Sequence, residues 1–169
     1  MATDVPIERS RTRTVSHPHG YLALAGLAAT AGVIHFVATV EHIGEDWELG
    51  LFFALIGGGQ LAAAWRIYRN DAGERLLKLV ALGSLGVALL WVFSRTTGIW
   101  VGPESGRSKV GVGDTIATLW EVAFAAIVGL IVWRGERAAA WLTGAIGSRL
   151  VFAVLSLSLM MAAFGGHEH

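Results

Sequence analysis

The stretch that decides the fold is Gly20–Val40, GYLALAGLAATAGVIHFVATV, in which His35 is the one strongly polar residue. A bilayer core of roughly 30 Å is crossed by about 20 mostly apolar residues in a helix, and this segment has that length and character. Downstream the pattern recurs. Leu49–Tyr68 is interrupted by Gly57-Gly58-Gly59 and Gln60, a third segment runs over Leu76–Phe93, and Thr115–Trp133 is interrupted by Glu121. A fifth apolar region, 138–164, contains Arg149. It reads either as one long tilted helix, or as an interfacial helix over Ala138–Ser148 followed by a short span over Leu150–Phe164. The continuous form is preferred, with Arg149 reaching toward headgroups or a partner. The expected fold is all-α: a polytopic transmembrane helix bundle of about five spans over residues 17–164. A polar tail, 1–16, precedes it and a short tail, 165–169, follows.

Composition agrees. Of 169 residues, 54% are hydrophobic and 15% charged, and the mean hydropathy is +0.57. Soluble domains carry about 25% charged residues, so a soluble domain and a disordered chain are both disfavoured. The 13 basic residues balance 13 acidic ones, so no net field recruits nucleic acid. No cysteine is present, which excludes disulfides and thiolate metal sites. Arg9, Arg11 and Arg13 resemble the basic start of a signal peptide. However, the apolar stretch after them has full span length and no clear cleavage site, so an uncleaved cytoplasmic tail is expected.

Basic residues set the expected orientation. Arg9, Arg11, Arg13, Arg66, Arg69, Arg75, Lys78, Arg134 and Arg137 fall on one side, against Arg95, Arg107 and Lys109 on the other. That places the N-terminus in the cytoplasm and, with five spans, the C-terminus outside the cell membrane. Glu41, His42, Glu45, Asp46, Glu48, Glu104, Asp114 and the tail His167-Glu168-His169 then gather on the outer side. Trp47, Trp65, Trp100 and Trp133 lie near span ends, where interfacial anchors belong. Gly83, Gly86, Gly144 and Gly147 would permit close helix contacts, or merely reflect a glycine- and alanine-rich chain.

Ionisable groups inside spans are costly and are candidate functional groups. His35 and His42 are seven residues apart on the first span, and Asp114 and Glu121 seven apart on the fourth, so each pair shares a helix face. Glu121 needs a cation partner or a proton, and Arg95, His35 and a metal are the candidates. Nitrogen and oxygen donors without sulfur suit Zn, Cu(II), Fe or Mn. His35, Glu41, His42 and Glu121 are the candidate ligands of a divalent metal, Zn or Cu, with Gln60, Arg95 and Asp114 as supporting polar groups. Each has a plainer alternative: His35 as a helix-packing residue, Glu121 in a structural pair with Arg95, Glu41 through Glu48 as a solvated loop, and Gln60 satisfying a loosened backbone. No H-E-x-x-H, di-iron, Walker or dinucleotide-binding pattern occurs. A bis-imidazole haem is disfavoured, because His35 alone lies well inside a span.

The chain resembles a family of small multi-pass membrane proteins of high-GC bacteria. The matching features are His35, Glu41-His42, Phe53, Gln60, Trp91-x-x-Ser94-Arg95-Thr96-x-Gly98, Gly102-Pro103, Asp114 and Glu121. The resemblance covers Gly20 to Trp133 and implies a polar outer cluster but no particular reaction. Three functional readings stand: metal or ion handling at the outer cluster, a non-catalytic subunit of a larger energy-transducing membrane complex or homo-oligomer, and a membrane-embedded enzyme using Glu121 and His35 as acid and base on a lipidic or quinone substrate.

Overall fold

A computed structural model describes residues 20–98 and 111–135, together with 149, 152, 153, 155, 156 and 160. Among these residues the chain forms four helices: α1 (Gly20–His42), α2 (Trp47–Tyr68), α3 (Glu74–Thr96) and α4 (Val112–Arg134). All four are long and apolar enough to cross a membrane. At 1.5 Å per residue each spans about 33 Å, a little more than a bilayer core.

The helices outrun the apolar segments by a few residues at most ends, and the local chemistry explains it. Asp46 is the N-cap of α2, its carboxylate accepting from the backbone N–H groups of Glu48 and Leu49 at 3.1 Å each. The turn between α1 and α2 is closed by the Asp46 N–H donating to the His42 carbonyl at 2.7 Å. Glu74 and Asp114 lie in the first turns of α3 and α4, and Arg95 and Arg134 in their last turns, each sign complementing the helix dipole. Asn70, at φ 57°, reverses the chain after α2 in a left-handed conformation that asparagine tolerates.

The helices alternate in direction. The end of α1, the start of α2, the end of α3 and the start of α4 therefore meet at one face of the bundle, called here the His42 end. The opposite face is the Tyr68 end. The α1–α2 seam is the most extensive, followed by α3–α4 and α1–α4, whereas α2 and α3 scarcely touch. The arrangement is an open arc in the order α2, α1, α4, α3.

The core is built mainly from alanine, with Leu24, Leu27, Ile34, Ile67, Leu77, Phe124 and Val128 as its larger members. Small residues let helix backbones approach closely, as lipid-embedded bundles require. At the α1–α2 seam Gly32 and Gly57 bring the two backbones close together. A Cβ on Gly57 would lie 2.9 Å from the Gly32 carbonyl oxygen, and one on Gly32 would lie 3.0 Å from that of Gly57. This corrects the expectation for Gly83 and Gly86, where an added Cβ would meet nothing within 4 Å. Gly144 and Gly147 lie outside the described residues.

Outward faces carry Val40, Leu55, Leu79, Leu82 and Leu89, each two-thirds or more exposed. Such a surface suits hydrocarbon, not water. Trp65 and Trp133 mark the Tyr68 end, under the guanidinium groups of Arg69 and Arg134 at 5.7 and 5.4 Å. Trp47, 64% exposed, marks the His42 end.

The described residues supply four spans, not the five expected. Most of 138–164, and the tails 1–16 and 165–169, lie outside them. Within that region Arg149, Phe152, Ala153, Leu155, Ser156 and Met160 are helical. Leu155 packs on the core, its Cδ1 within 2.7 Å of where a Cβ on Gly26 would sit.

Candidate functional site

Three polar side chains from three helices meet inside the bundle. His35 of α1 is 6% exposed, Gln60 of α2 is 7% and Glu121 of α4 is 1%. His35 Nε2 lies 3.0 Å from Glu121 Oε1, and the Gln60 Nε2 amide donates to the same oxygen at 2.9 Å. A hydrogen bond between an imidazole nitrogen and a carboxyl oxygen requires a proton between them. The pair is therefore imidazole with carboxylic acid, or an N–H donor with carboxylate.

Depth explains the meeting. His35 is seven residues before the end of α1, about 10 Å in, and Glu121 is nine after the start of α4, about 14 Å in. Both levels are measured from the His42 end, so the two side chains face each other across the α1–α4 seam. Gln60 sits eight residues before the end of α2, and its long side chain reaches the pair from the other direction. The Gly32–Gly57 approach draws α2 onto α1 less than one turn before Gln60 and His35.

The site keeps two buried oxygens without a hydrogen-bond partner, Gln60 Oε1 and Glu121 Oε2. Buried polar atoms are paired in the great majority of cases, so both mark places where a donor or a cation is suited.

A second polar group lies nearer the His42 end. Arg95, in the last turn of α3, forms an ion pair and hydrogen bond with Asp114, in the first turn of α4. Its guanidinium also donates to Ser94 Oγ at 2.6 Å and lies 5.2 Å from the centre of the Trp91 ring. Arg95 thus takes Asp114 as its partner, and Glu121, two turns deeper, takes His35.

Between the two levels stands Phe53. Its ring stacks on His35 with centroids 5.7 Å apart and on His42 at 5.5 Å. Residues seven apart on a helix are separated by about 10 Å, so Phe53 fills the interval between the imidazoles. Phe53 is a site residue that the search for ionisable groups passes over. Its signal is spacing: Phe53 and Gln60 are seven apart on α2, as His35 and His42 are on α1 and Asp114 and Glu121 on α4.

Of the candidate metal ligands, His35 and Glu121 are brought together, His42 joins them only through Phe53, and Glu41 is exposed. Among the described residues, no three His, Asp or Glu side chains are grouped as a metal site would need.

Fold and site together define the class: an all-helical protein with four helices, among the described residues, long and apolar enough to cross a membrane, and a buried His–Gln–Glu centre. Comparison with protein-family models, curated proteins and solved structures finds no match to the chain.

Proposed function

We propose that the chain is a small multi-pass protein of the cell membrane that handles protons at the His35–Glu121 pair. The observation that carries this reading is the 3.0 Å contact between two protonatable groups inside an apolar bundle. Ionisable residues buried at membrane depth commonly mark ion or proton pathways. A pair that already holds one proton accepts or releases another with little movement of atoms, and Gln60 keeps the carboxyl oriented during the exchange. Among the described residues His35 and Glu121 are the candidate ligands brought into contact, and two groups sharing one hydrogen bond suit a proton.

The positive-inside pattern supports an N-terminus in the cytoplasm, with the His42 end facing outward. On that reading His42, Glu41, Glu45 and Glu48 form an acidic and imidazole-bearing rim above the buried pair. The Arg95–Asp114 pair holds α3 to α4 beside it.

The test is proton entry into liposomes carrying the full chain and a trapped pH indicator, driven by a potassium diffusion potential. Expected is entry well above that of protein-free liposomes and at least tenfold slower in Glu121→Gln, with Gly86→Ala unchanged. Flux equal to that of protein-free liposomes, or unaltered in Glu121→Gln, overturns the reading. Zinc or copper retained by the purified chain and lost in Glu121→Gln would replace the proton with a metal.

A further inference from the structure

Among the described residues, clefts open along the α1–α2 and α2–α3 seams. The one between α1 and α2 is lined by Leu22, Gly26, Trp65 and Tyr68, among others, and lies beside Leu155. The other, between α2 and α3, has a volume of about 290 Å³ and is lined by Leu55, Gly59, Gln60, Leu79, Gly83 and Ser84, among others.

Three observations give this second cleft chemical meaning. It exists because α2 and α3 scarcely touch, and Gly59 and Gly83 leave it open, since a Cβ at either would meet nothing within 4 Å. Its rim is hydrocarbon-facing, with Leu55 68% and Leu79 66% exposed. Its lining is mostly hydrocarbon, with Ser84 and Gln60, 6% and 7% exposed, as its polar members, and Gln60 Oε1 is buried without a donor while Gln60 Nε2 is committed to Glu121.

An occupant matching all three arrives from the bilayer, has an apolar body, and ends in a hydrogen-bond donor. We propose that the α2–α3 cleft admits a lipid-soluble alcohol or phenol sideways from the membrane, its hydroxyl donating to Gln60 Oε1. The inference rests on the proton-handling reading in one respect: it names the molecule class that is held one amide group away from the His35–Glu121 pair. The shared chemistry is a hydroxyl head on an apolar chain. Aliphatic and aromatic heads are distinguished by experiment.

The test uses the full chain in phosphatidylcholine nanodiscs with two radiolabelled probes, farnesol and decylubiquinol, each compared with its methyl ether. Binding is read above that of protein-free nanodiscs. Expected is saturable binding of at least one hydroxyl probe, about tenfold or more tighter than its ether, since the ether offers no donor to the buried acceptor. Gln60→Leu should reduce the hydroxyl probe to the affinity of the ether, and Gly83→Leu should abolish binding by filling the cleft. Whichever probe binds identifies the head as aliphatic or aromatic. Equal affinity of hydroxyl and ether, binding undiminished in Gly83→Leu, or no saturable binding of either probe overturns the proposal. The ether comparison needs no variant, so a misfolded substitution does not decide the result. The readout is occupancy rather than proton movement. Binding without flux therefore defeats only the proton-handling reading, and flux without binding defeats only this one.

Discussion

Glu121 is the residue on which the interior turns. Its Oε1 receives both Gln60 and the His35 contact, and it is almost wholly buried. Truncation leaves two polar groups unpartnered in a low-dielectric site, whereas an isosteric amide keeps an acceptor for each. Glu121→Leu is expected to cost about 2–4 kcal/mol of stability and Glu121→Gln about 1 kcal/mol or less. Thermal unfolding of detergent-purified protein checks this, and equal losses in the two variants would show that the hydrogen bonds carry little energy. The members of this cluster were readable from sequence, because each is a polar residue in an apolar run. Their pairing was only half readable. Arg95 and His35 compete for Glu121 on charge, and the choice depends on depth. Counting residues from the His42 end separates them: Arg95 and Asp114 lie within one turn of their helix ends, while His35 and Glu121 lie two turns or more inside.

At the scale of the element, the spans were legible because length and hydropathy suffice to recognise a membrane helix. Their ends moved outward by two or three residues at most, where Asp46, Glu74 and Arg95 complete the terminal turns. The glycines were not legible. Gly57, Gly58 and Gly59 look alike in sequence, yet they face different neighbours. A Cβ on Gly57 would meet the Gly32 carbonyl at 2.9 Å, whereas one on Gly58 would meet nothing within 4 Å. Gly57→Ala therefore forces α1 and α2 apart and is expected to destabilise by about 1–3 kcal/mol. Gly58→Ala should be neutral or stabilising by up to about 1 kcal/mol, because alanine is the better helix former. Chemical denaturation of the two variants side by side reads the sign, and matching losses would mean that the α1–α2 seam is looser than described. Gly83 and Gly86, equally fit for helix contact by sequence, make none: a Cβ at either would meet nothing within 4 Å, and Gly83 borders the open cleft between α2 and α3.

For the whole molecule, the arc of four helices places the loop at Glu45 and the loop at Asp71 at opposite ends of α2. The absence of cysteine makes this simple to probe, since one introduced thiol reports alone. In sealed cells, a membrane-impermeant maleimide is expected to label Glu45→Cys and to spare Asp71→Cys until the membrane is permeabilised. The reverse pattern would invert the orientation, and labelling of both in sealed cells would deny that α2 crosses. The number of helices beyond α4 is the least legible feature, since Arg149 allows the last apolar region to be read as one continuous helix, the preferred form, or as two.

The open seam between α2 and α3 also has a mechanical side. Among the described residues the arc is closed only by a few contacts between α2 and α3, so spreading or narrowing its gap breaks few interactions, and α2 is tethered mainly through its glycine-tight seam with α1. Lateral pressure in the surrounding lipid acts on such a gap as a hand acts on a spring clip. Membrane thickness and tension are then expected to set how wide the cleft beside Gln60 opens.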